Sequence, residues 1–277
     1  MLYFFFFAAA ALVPILDIFF EVLNKSYTWW LIPTIVIGGF VSFALIFLIV
    51  TALSITLVNR NKSPYFLDGY YRFMVNNTIK ILVKLLRIKI HTTGIEIIPE
   101  NERFLLVCNH ISDVDPAIII HEIPEANLGF IAKKEIITEL PFVAKALHKL
   151  HCLFIDRDNN REAAKTVISA AKLIKDDVVS VGIFPEGYTS KTGELQDMRN
   201  GAFKIAQKAN CAIVVCTVYG TRQAVKKLFI RKNHIYLDFL KVFTKEDAAN
   251  LSTAQIGDEV HTLMEENLKK LSNEAKL

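Results

Sequence analysis

The chain has 277 residues, 52% of them hydrophobic, and a formal net charge of +4 from 32 basic and 28 acidic side chains. That length suits one globular domain plus membrane segments, while the small basic excess, with no arginine-rich arm and no aromatic platform for single strands, argues against nucleic acid as a partner. Cys108, Cys152, Cys211 and Cys216 lie in apolar runs without C-x-x-C spacing, and no group of His, Cys and carboxylates has metal-ligand spacing, so reduced core thiols and no metal site are expected.

The apolar excess is concentrated at the front. Leu2 to Leu23 opens on a run of phenylalanines, carries Asp17 and Glu21 toward its end, and lacks the basic region and small-residue cleavage site of a secretory signal. From Leu31 to Val58 no side chain ionises, and a run of that length crosses a hydrocarbon core of roughly 30 Å even when tilted. Expected, therefore, is a membrane segment over residues 1–62, a two-helix hairpin turning near Asn24-Lys25-Ser26, with a single span or a re-entrant first segment as the alternative. Arg60, Lys62, Arg72, Lys80, Lys84, Arg87 and Lys89 follow, and the positive-inside bias then puts residues 63–277, the globular domain of an integral membrane protein, on the cytoplasmic face.

Residues 65–86 mix Phe66, Tyr70, Phe73, Met74, Ile79, Ile81, Leu82 and Leu85 with Arg72, Lys80 and Lys84, the composition of an amphipathic helix. It either lies in the interface of an anionic bilayer or packs on the domain with a solvated basic face. Arg87 to His91 alternates as a half-exposed strand does, and Gly94 and Pro99 punctuate the turn into Phe104-Leu105-Leu106-Val107-Cys108, an apolar run of the kind a fully covered parallel strand shows. Asp115-Pro116 reads as an N-cap followed by the favoured first helical residue. Beyond it come a helix over Arg161 to Ile174, a strand over Val178 to Phe184, a helix over Gly201 to Ala209, a strand over Ala212 to Val218 and a closing amphipathic helix over Gln255 to Leu271. Strand and helix alternate, so the fold class is α/β: a largely parallel sheet flanked by helices, preceded by a membrane helix or helical hairpin.

The chemistry-bearing residues cluster after two of these strands. His110 and Asp115 stand five apart, a spacing that points to different faces of a helix, so they meet only around a turn at a strand's carboxyl end, where open α/β sheets bind ligands. Alone, Asp115 is a helix cap and His110 a satisfied core residue. Together they supply a neutral imidazole with one nitrogen held by a carboxylate, the arrangement that activates a hydroxyl nucleophile. No G-x-S-x-G elbow supplies an enzyme serine. The activated hydroxyl then belongs to the substrate.

With Asn109-His110-x4-Asp115 after one strand and Phe184-Pro185-Glu186-Gly187-Tyr188-Thr189-Ser190 after another, residues 86–242 resemble the glycerolipid acyltransferase family typified by 1-acylglycerol-3-phosphate (lysophosphatidic acid) acyltransferases. A second block of that family is similar to Lys133-Lys134-Glu135, Pro141-Phe142 and Phe154-Ile155-Asp156-Arg157, and its Lys-Gly-Ala-Phe step to Asn200-Gly201-Ala202-Phe203-Lys204. The resemblance implies a membrane-bound enzyme moving an acyl group from acyl-CoA or acyl-carrier protein, used as donor substrate rather than cofactor, to the sn-2 hydroxyl of a lysophospholipid acceptor, 1-acylglycerol-3-phosphate, giving phosphatidic acid. It also implies His110 as general base, Asp115 as its orienting partner, and Arg157, Glu186, Gly187, Lys133 and Lys204 as substrate-binding residues, with Glu186 holding either the acceptor's glycerol or the local loop. Backbone amides around Gly187 or after His110 are the candidate oxyanion donors.

Four positions depart from the family pattern. Thr189 replaces an arginine, Val215 a proline, and Ala144 and His151 glycines. Arginine is the preferred clamp for phosphate and threonine offers only a neutral hydroxyl, so Arg157, Lys191, Arg199 and Lys204 are the candidates to compensate. The departure admits a different lyso-lipid acceptor; lipid hydrolysis and a non-catalytic lipid-binding relative are further alternatives.

Overall fold

Helix α1 (Leu31–Thr56) carries 26 residues without an ionisable side chain, which at 1.5 Å per residue is about 39 Å of helix. Among the residues that the computed structural model describes, 31–58, 68–190, 192–226 and 233–274, it is the one helix long and apolar enough to cross a membrane. Near its end the Thr51, Ser54 and Thr56 hydroxyls donate to the carbonyls of Phe47, Thr51 and Leu53 at 2.7, 2.8 and 2.7 Å, which satisfies them within the helix. The other limb of the expected hairpin, Leu2 to Leu23, and its turn lie outside the described residues. The chain divides into two units between Leu57 and Val58.

The second unit begins with helix α2 (Asp68–Leu85). One face is committed to the domain: Tyr71 and Met74 are buried, Val75, Ile79 and Val83 pack on the core, and the Arg72 guanidinium donates to the carbonyls of Leu128 and Leu150 at 3.3 and 3.4 Å. The opposite face leaves Phe73, Ile81, Leu82 and Leu85 exposed.

Behind α2 stands a seven-stranded sheet in the order β1-β7-β6-β2-β5-β3-β4. The strands are β1 (Ile88–Thr93), β2 (Leu105–Cys108), β3 (Leu128–Lys133), β4 (Leu153–Ile155), β5 (Ser180–Ile183), β6 (Ile213–Tyr219) and β7 (Asn233–Phe243). All pairings are parallel except β6 with β7. The antiparallel step lets the chain add an edge pair, β7 and β1, without another crossover helix between β6 and β7.

Both faces of the sheet are covered, which is why its central strands read as unbroken apolar runs. Leu105 and Val107 point to one face, against helices α6 (Asn160–Lys175), α7 (Lys204–Ala209) and α10 (Thr253–Glu274), through Ala170, Ile174, Ile205, Ile256 and Val260. Leu106 and Cys108 point to the other, against helix α3 (Asp115–Glu122) through Ile118, Ile119 and Ile120. Each such side chain taken fully out of water contributes about 1.5–3 kcal/mol. Helices α4 (Ile136–Glu139), α5 (Pro141–Lys149), α8 (Thr221–Lys226) and α9 (Lys245–Asn250) complete the chain. All four cysteines are buried free thiols; burial pushes Cys152 up to about 11 and Cys211 up to about 12, which keeps them protonated and inert.

Three strands go beyond the sequence reading. β3, β7 and the short β4 have no counterpart in the periodicity, although β4 falls in the segment that the resemblance singled out. The helix expected over Gly201 to Ala209 begins as a 3₁₀ turn, Asn200–Phe203, and becomes α7 only at Lys204.

Candidate active site

Strands β2, β5 and β6 are parallel neighbours, so the segments that follow them emerge at one end of the sheet. There the chain builds a turn out of its own side chains. Asn109 stitches two strand ends together: its Nδ2 donates to the Val218 carbonyl at 3.0 Å and its Oδ1 accepts from the Val218 amide at 2.8 Å. His110 comes next, and its ring stacks on Phe184 at a centroid distance of 4.1 Å.

The turn after His110 closes on Asp115. His110 Nδ1 lies 2.9 Å from Asp115 Oδ2, and the same oxygen accepts from the Ile111 and Ser112 amides, each at 2.8 Å. Asp115 Oδ1 accepts from the Thr221 hydroxyl at 2.6 Å. The carboxylate has no exposed surface; leaving such a charge buried without its partners costs about 3–5 kcal/mol. Asp115 is therefore not the N-cap expected for α3. Val114 holds that position and Asp115 is the first helical residue, with its side chain folded back over the turn, because three N–H groups inside the loop offer more than one helix terminus does. An ionised carboxylate only accepts, so Nδ1 carries the imidazole proton and Nε2 presents the lone pair.

Glu186 sits in the second loop, and burial raises its carboxyl above the usual carboxylate range, opposed by hydrogen bonds from the His110 and Gln196 amides. Those bonds measure 2.6 Å from His110 N and 2.9 Å from Gln196 N. Of its two expected roles the geometry fits the second: both oxygens are engaged by main chain and the residue is almost wholly buried, so it holds the loop that positions His110. The Ser190 amide closes the same junction by donating to the His110 carbonyl at 2.8 Å.

Four of the main-chain amides near the expected oxyanion donors are engaged within the chain. The amides of His110, Ile111 and Ser112 are given to carboxylates, and the Gly187 amide to the Phe184 carbonyl at 3.1 Å. Gly187 instead serves by lacking a side chain. Its φ is +83°, and a Cβ there would stand 2.7 Å from Arg199 Nε.

A cavity of about 520 Å³ adjoins this turn, with Phe184 common to its wall and to the His110 stack. Ile131, Ile155, Ala163, Val167 and Ile183 make much of the wall apolar, while Arg157, Arg199, Lys204 and Lys208 make part of it basic. Burial first, then the charge of Arg199, pulls the Arg157 guanidinium below its ordinary range. Of the residues expected to bind substrate, Arg157, Gly187 and Lys204 reach this cavity. Lys133 does not: its ammonium pairs with Glu139 at 3.0 Å on the surface. Among the described residues no three His, Cys, Asp or Glu side chains converge as metal ligands would.

The departures acquire physical content. Thr189 donates its hydroxyl to Asp113 at 3.3 Å. His151 adopts a left-handed φ of 59°, a conformation that favours glycine, and Ala144 is fully buried in α5, where little more than a methyl fits. Val215 is fully buried at the register shift between β6 and β7. Lys191 lies outside the described residues. Thr221 and the stitching by Asn109 were not found by sequence reasoning; a polar residue just beyond an apolar strand, as in Tyr219-Gly220-Thr221, is the signal that pointed there.

Comparison with known proteins agrees with this geometry. Residues 89–219 match the family model described as Acyltransferase. The chain is 30% identical over 200 residues to a 1-acyl-sn-glycerol-3-phosphate acyltransferase of Borreliella burgdorferi, covering 69% of this chain and 79% of that protein. It is 26% identical over 203 residues to the protein of the same name from Bacillus subtilis, covering 73% and 97%. The fold is shared with the crystal structure of the 1-acyl-sn-glycerophosphate (LPA) acyltransferase of Thermotoga maritima, at a TM-score of 0.60 and 21% identity over 91% of this chain and 97% of that one.

Proposed function

We infer that this chain, which belongs to the glycerolipid acyltransferase family and is an O-acyltransferase, moves a fatty acyl group from an acyl thioester to the free sn-2 hydroxyl of 1-acylglycerol-3-phosphate. The product is phosphatidic acid, a precursor in phospholipid biosynthesis, and the donor is acyl-CoA or acyl-carrier protein. The reading rests above all on the 2.9 Å contact between His110 Nδ1 and a buried Asp115 carboxylate, set in a turn beside a cavity that is apolar within and basic at Arg157, Arg199 and Lys204. That cavity has the polarity of an anionic lipid.

The reaction follows from the tautomer. With Nδ1–H held by Asp115, His110 Nε2 takes the proton of the acceptor hydroxyl as its oxygen attacks the thioester carbonyl. The C–O ester bond forms, the C–S bond breaks, and the imidazolium returns the proton to the departing thiolate. Asp115 stabilises the imidazolium in between and stays ionised. No covalent acyl-enzyme is involved.

Residence in the membrane rests on α1 and on the basic residues that follow it, from Arg72 to Lys89. By the positive-inside bias these residues support a cytoplasmic position for the catalytic unit, and the exposed apolar residues of α2, Phe73, Ile81, Leu82 and Leu85, support its contact with a lipid surface.

The test is His110→Ala in full-length, membrane-inserted protein. Loss of acyl transfer to 1-acylglycerol-3-phosphate by about 10³-fold is expected, within the range for removal of a general base. Transfer at the parent rate overturns the assignment. Thr189 in place of arginine favours one second reading, a different lyso-lipid as acceptor, and a comparison of charged with uncharged acceptors decides between the two.

A further inference from the structure

Thr221 stands 106 positions from Asp115 and opens helix α8, yet it is the fully buried side chain that meets the far edge of that carboxylate. The two oxygens of Asp115 are answered unequally. Oδ2 lies against three donors, His110 Nδ1 and the Ile111 and Ser112 amides, all supplied by the turn that Asp115 itself closes. Oδ1 accepts from the Thr221 hydroxyl at 2.6 Å, its one hydrogen-bond partner among the described residues. Bonds gathered on one oxygen leave the carboxylate able to swing about it. The bond on the second oxygen fixes its plane, and with it the direction from which it meets the imidazole.

Thr221 is delivered to this place by β6 and β7 rather than by the turn. Both main-chain groups of Val218 are tied to Asn109. Gly220 then takes a φ of +92°, and a Cβ there would strike the His234 carbonyl of β7, so β7 packs directly on the backbone that carries the threonine. The Ala224 amide donates to the Gly220 carbonyl at 3.0 Å, which closes the first turn of α8. A hydroxyl shut in at that point costs free energy unless it is paired, and the partner that the fold offers it is a carboxylate.

We propose that Thr221 is a positioning residue of acyl transfer: its hydroxyl holds the Asp115 carboxylate in the plane that aligns His110, and draws charge from it so that the imidazolium gives up its proton readily. The proposal rests on the acyltransferase reading above. A carboxylate relieved of that hydrogen bond turns more negative charge toward His110 and binds the imidazolium more tightly. The proton then returns to the departing thiolate more slowly. The other titratable groups around this pair are Glu186 in the loop after β5, Asp113 on the turn itself and the Cys108 thiol on β2, which burial holds well above its ordinary range. All three are common to parent and variants, so a difference between their pH profiles reports the hydroxyl.

The experiment follows kcat and KM against pH for the parent, Thr221→Val and Thr221→Ser, all full-length and membrane-inserted, with 1-acylglycerol-3-phosphate as acceptor and acyl-CoA as donor. Thr221→Val keeps the branched shape and loses the hydroxyl. Its kcat is expected to fall about tenfold, the value of one hydrogen bond to a charged group, with the KM of either substrate within about twofold. The acid limb of its kcat/KM profile, which reports the base, is expected about one pH unit above the parent's. Thr221→Ser restores the hydroxyl and is expected to recover the parent's limb, with kcat within about threefold. An acid limb that is unmoved or lowered in Thr221→Val makes the residue a core hydroxyl and overturns the proposal, with the acyltransferase reading left standing; so does a serine variant as slow as the valine one. A parent without an acid limb overturns the general-base reading of His110 itself. If Thr221→Val fails to fold, Thr221→Cys takes its place: its thiol donates weakly, and a limb raised by about half a pH unit supports the proposal, while an unmoved one overturns it.

Discussion

The catalytic turn and the basic wall of the cavity lie side by side and are built on opposite plans. In the turn both carboxylates are answered by the chain: Asp115 by His110, Ile111, Ser112 and Thr221, and Glu186 by His110 and Gln196. On the wall, Arg157 and Arg199 converge, and among the described residues neither is in ion-pair contact with a carboxylate. The first plan fixes a tautomer and a ring orientation before substrate arrives, which spares reorganisation during reaction. The second leaves binding energy for the ligand to collect. The comparison implies that damage to the turn lowers kcat, whereas damage to the wall raises KM.

Asp115→Asn breaks the turn most severely. An amide presents N–H groups where three donors already point, so the imidazole loses its tautomer and two backbone amides lose an acceptor; kcat is expected to fall about 10³-fold, as for a general base with its orienting acid removed. Unchanged kcat in steady-state assays, with circular dichroism confirming the fold, would show that Asp115 does not orient His110. Glu186→Gln is milder, because a glutamine oxygen still accepts from one of the two amides. A decrease in kcat of about tenfold is expected, the loss of one charge-assisted hydrogen bond behind the base. It has a second signature. Since the folded carboxyl titrates above its ordinary range, the parent has a stability contribution present at low pH that is lost as pH rises from the unfolded glutamate pKa to the raised one, and melting temperatures of Glu186→Gln are expected to lack that part of the slope.

Gly187→Ala touches the place where the two regions meet. Its methyl displaces Arg199 from the loop and strains a positive φ, at a cost of about 1 kcal/mol to stability. The KM for 1-acylglycerol-3-phosphate is expected to rise about fivefold, with kcat little altered. A change in kcat alone would place Gly187 in the turn rather than on the wall.

These two regions were also unequally legible in the sequence. β2, β5, α6 and α10 announce themselves because burial on both faces makes a strand uniformly apolar and burial on one makes a helix periodic. β4 does not, being three half-buried residues at the sheet edge, and β7 mixes polar and apolar residues over eleven positions. The identity of His110 and Asp115 is visible from five residues of separation. What holds them is not: Glu186 reaches His110 across 76 positions and Thr221 reaches Asp115 across 106. The substitution at Thr189 was plain as a loss, whereas the packing of Arg199 against Gly187 depends on two segments folding against one another and is carried by no spacing.

Direct transfer to the acceptor, with the enzyme supplying a base and no nucleophile, is tested by rapidly mixing stoichiometric full-length protein with acyl-CoA and following free thiol. Thiol is expected only when 1-acylglycerol-3-phosphate is present, formed in step with phosphatidic acid. A burst of one thiol per protein molecule in the absence of acceptor would reveal an acyl-enzyme and contradict the account.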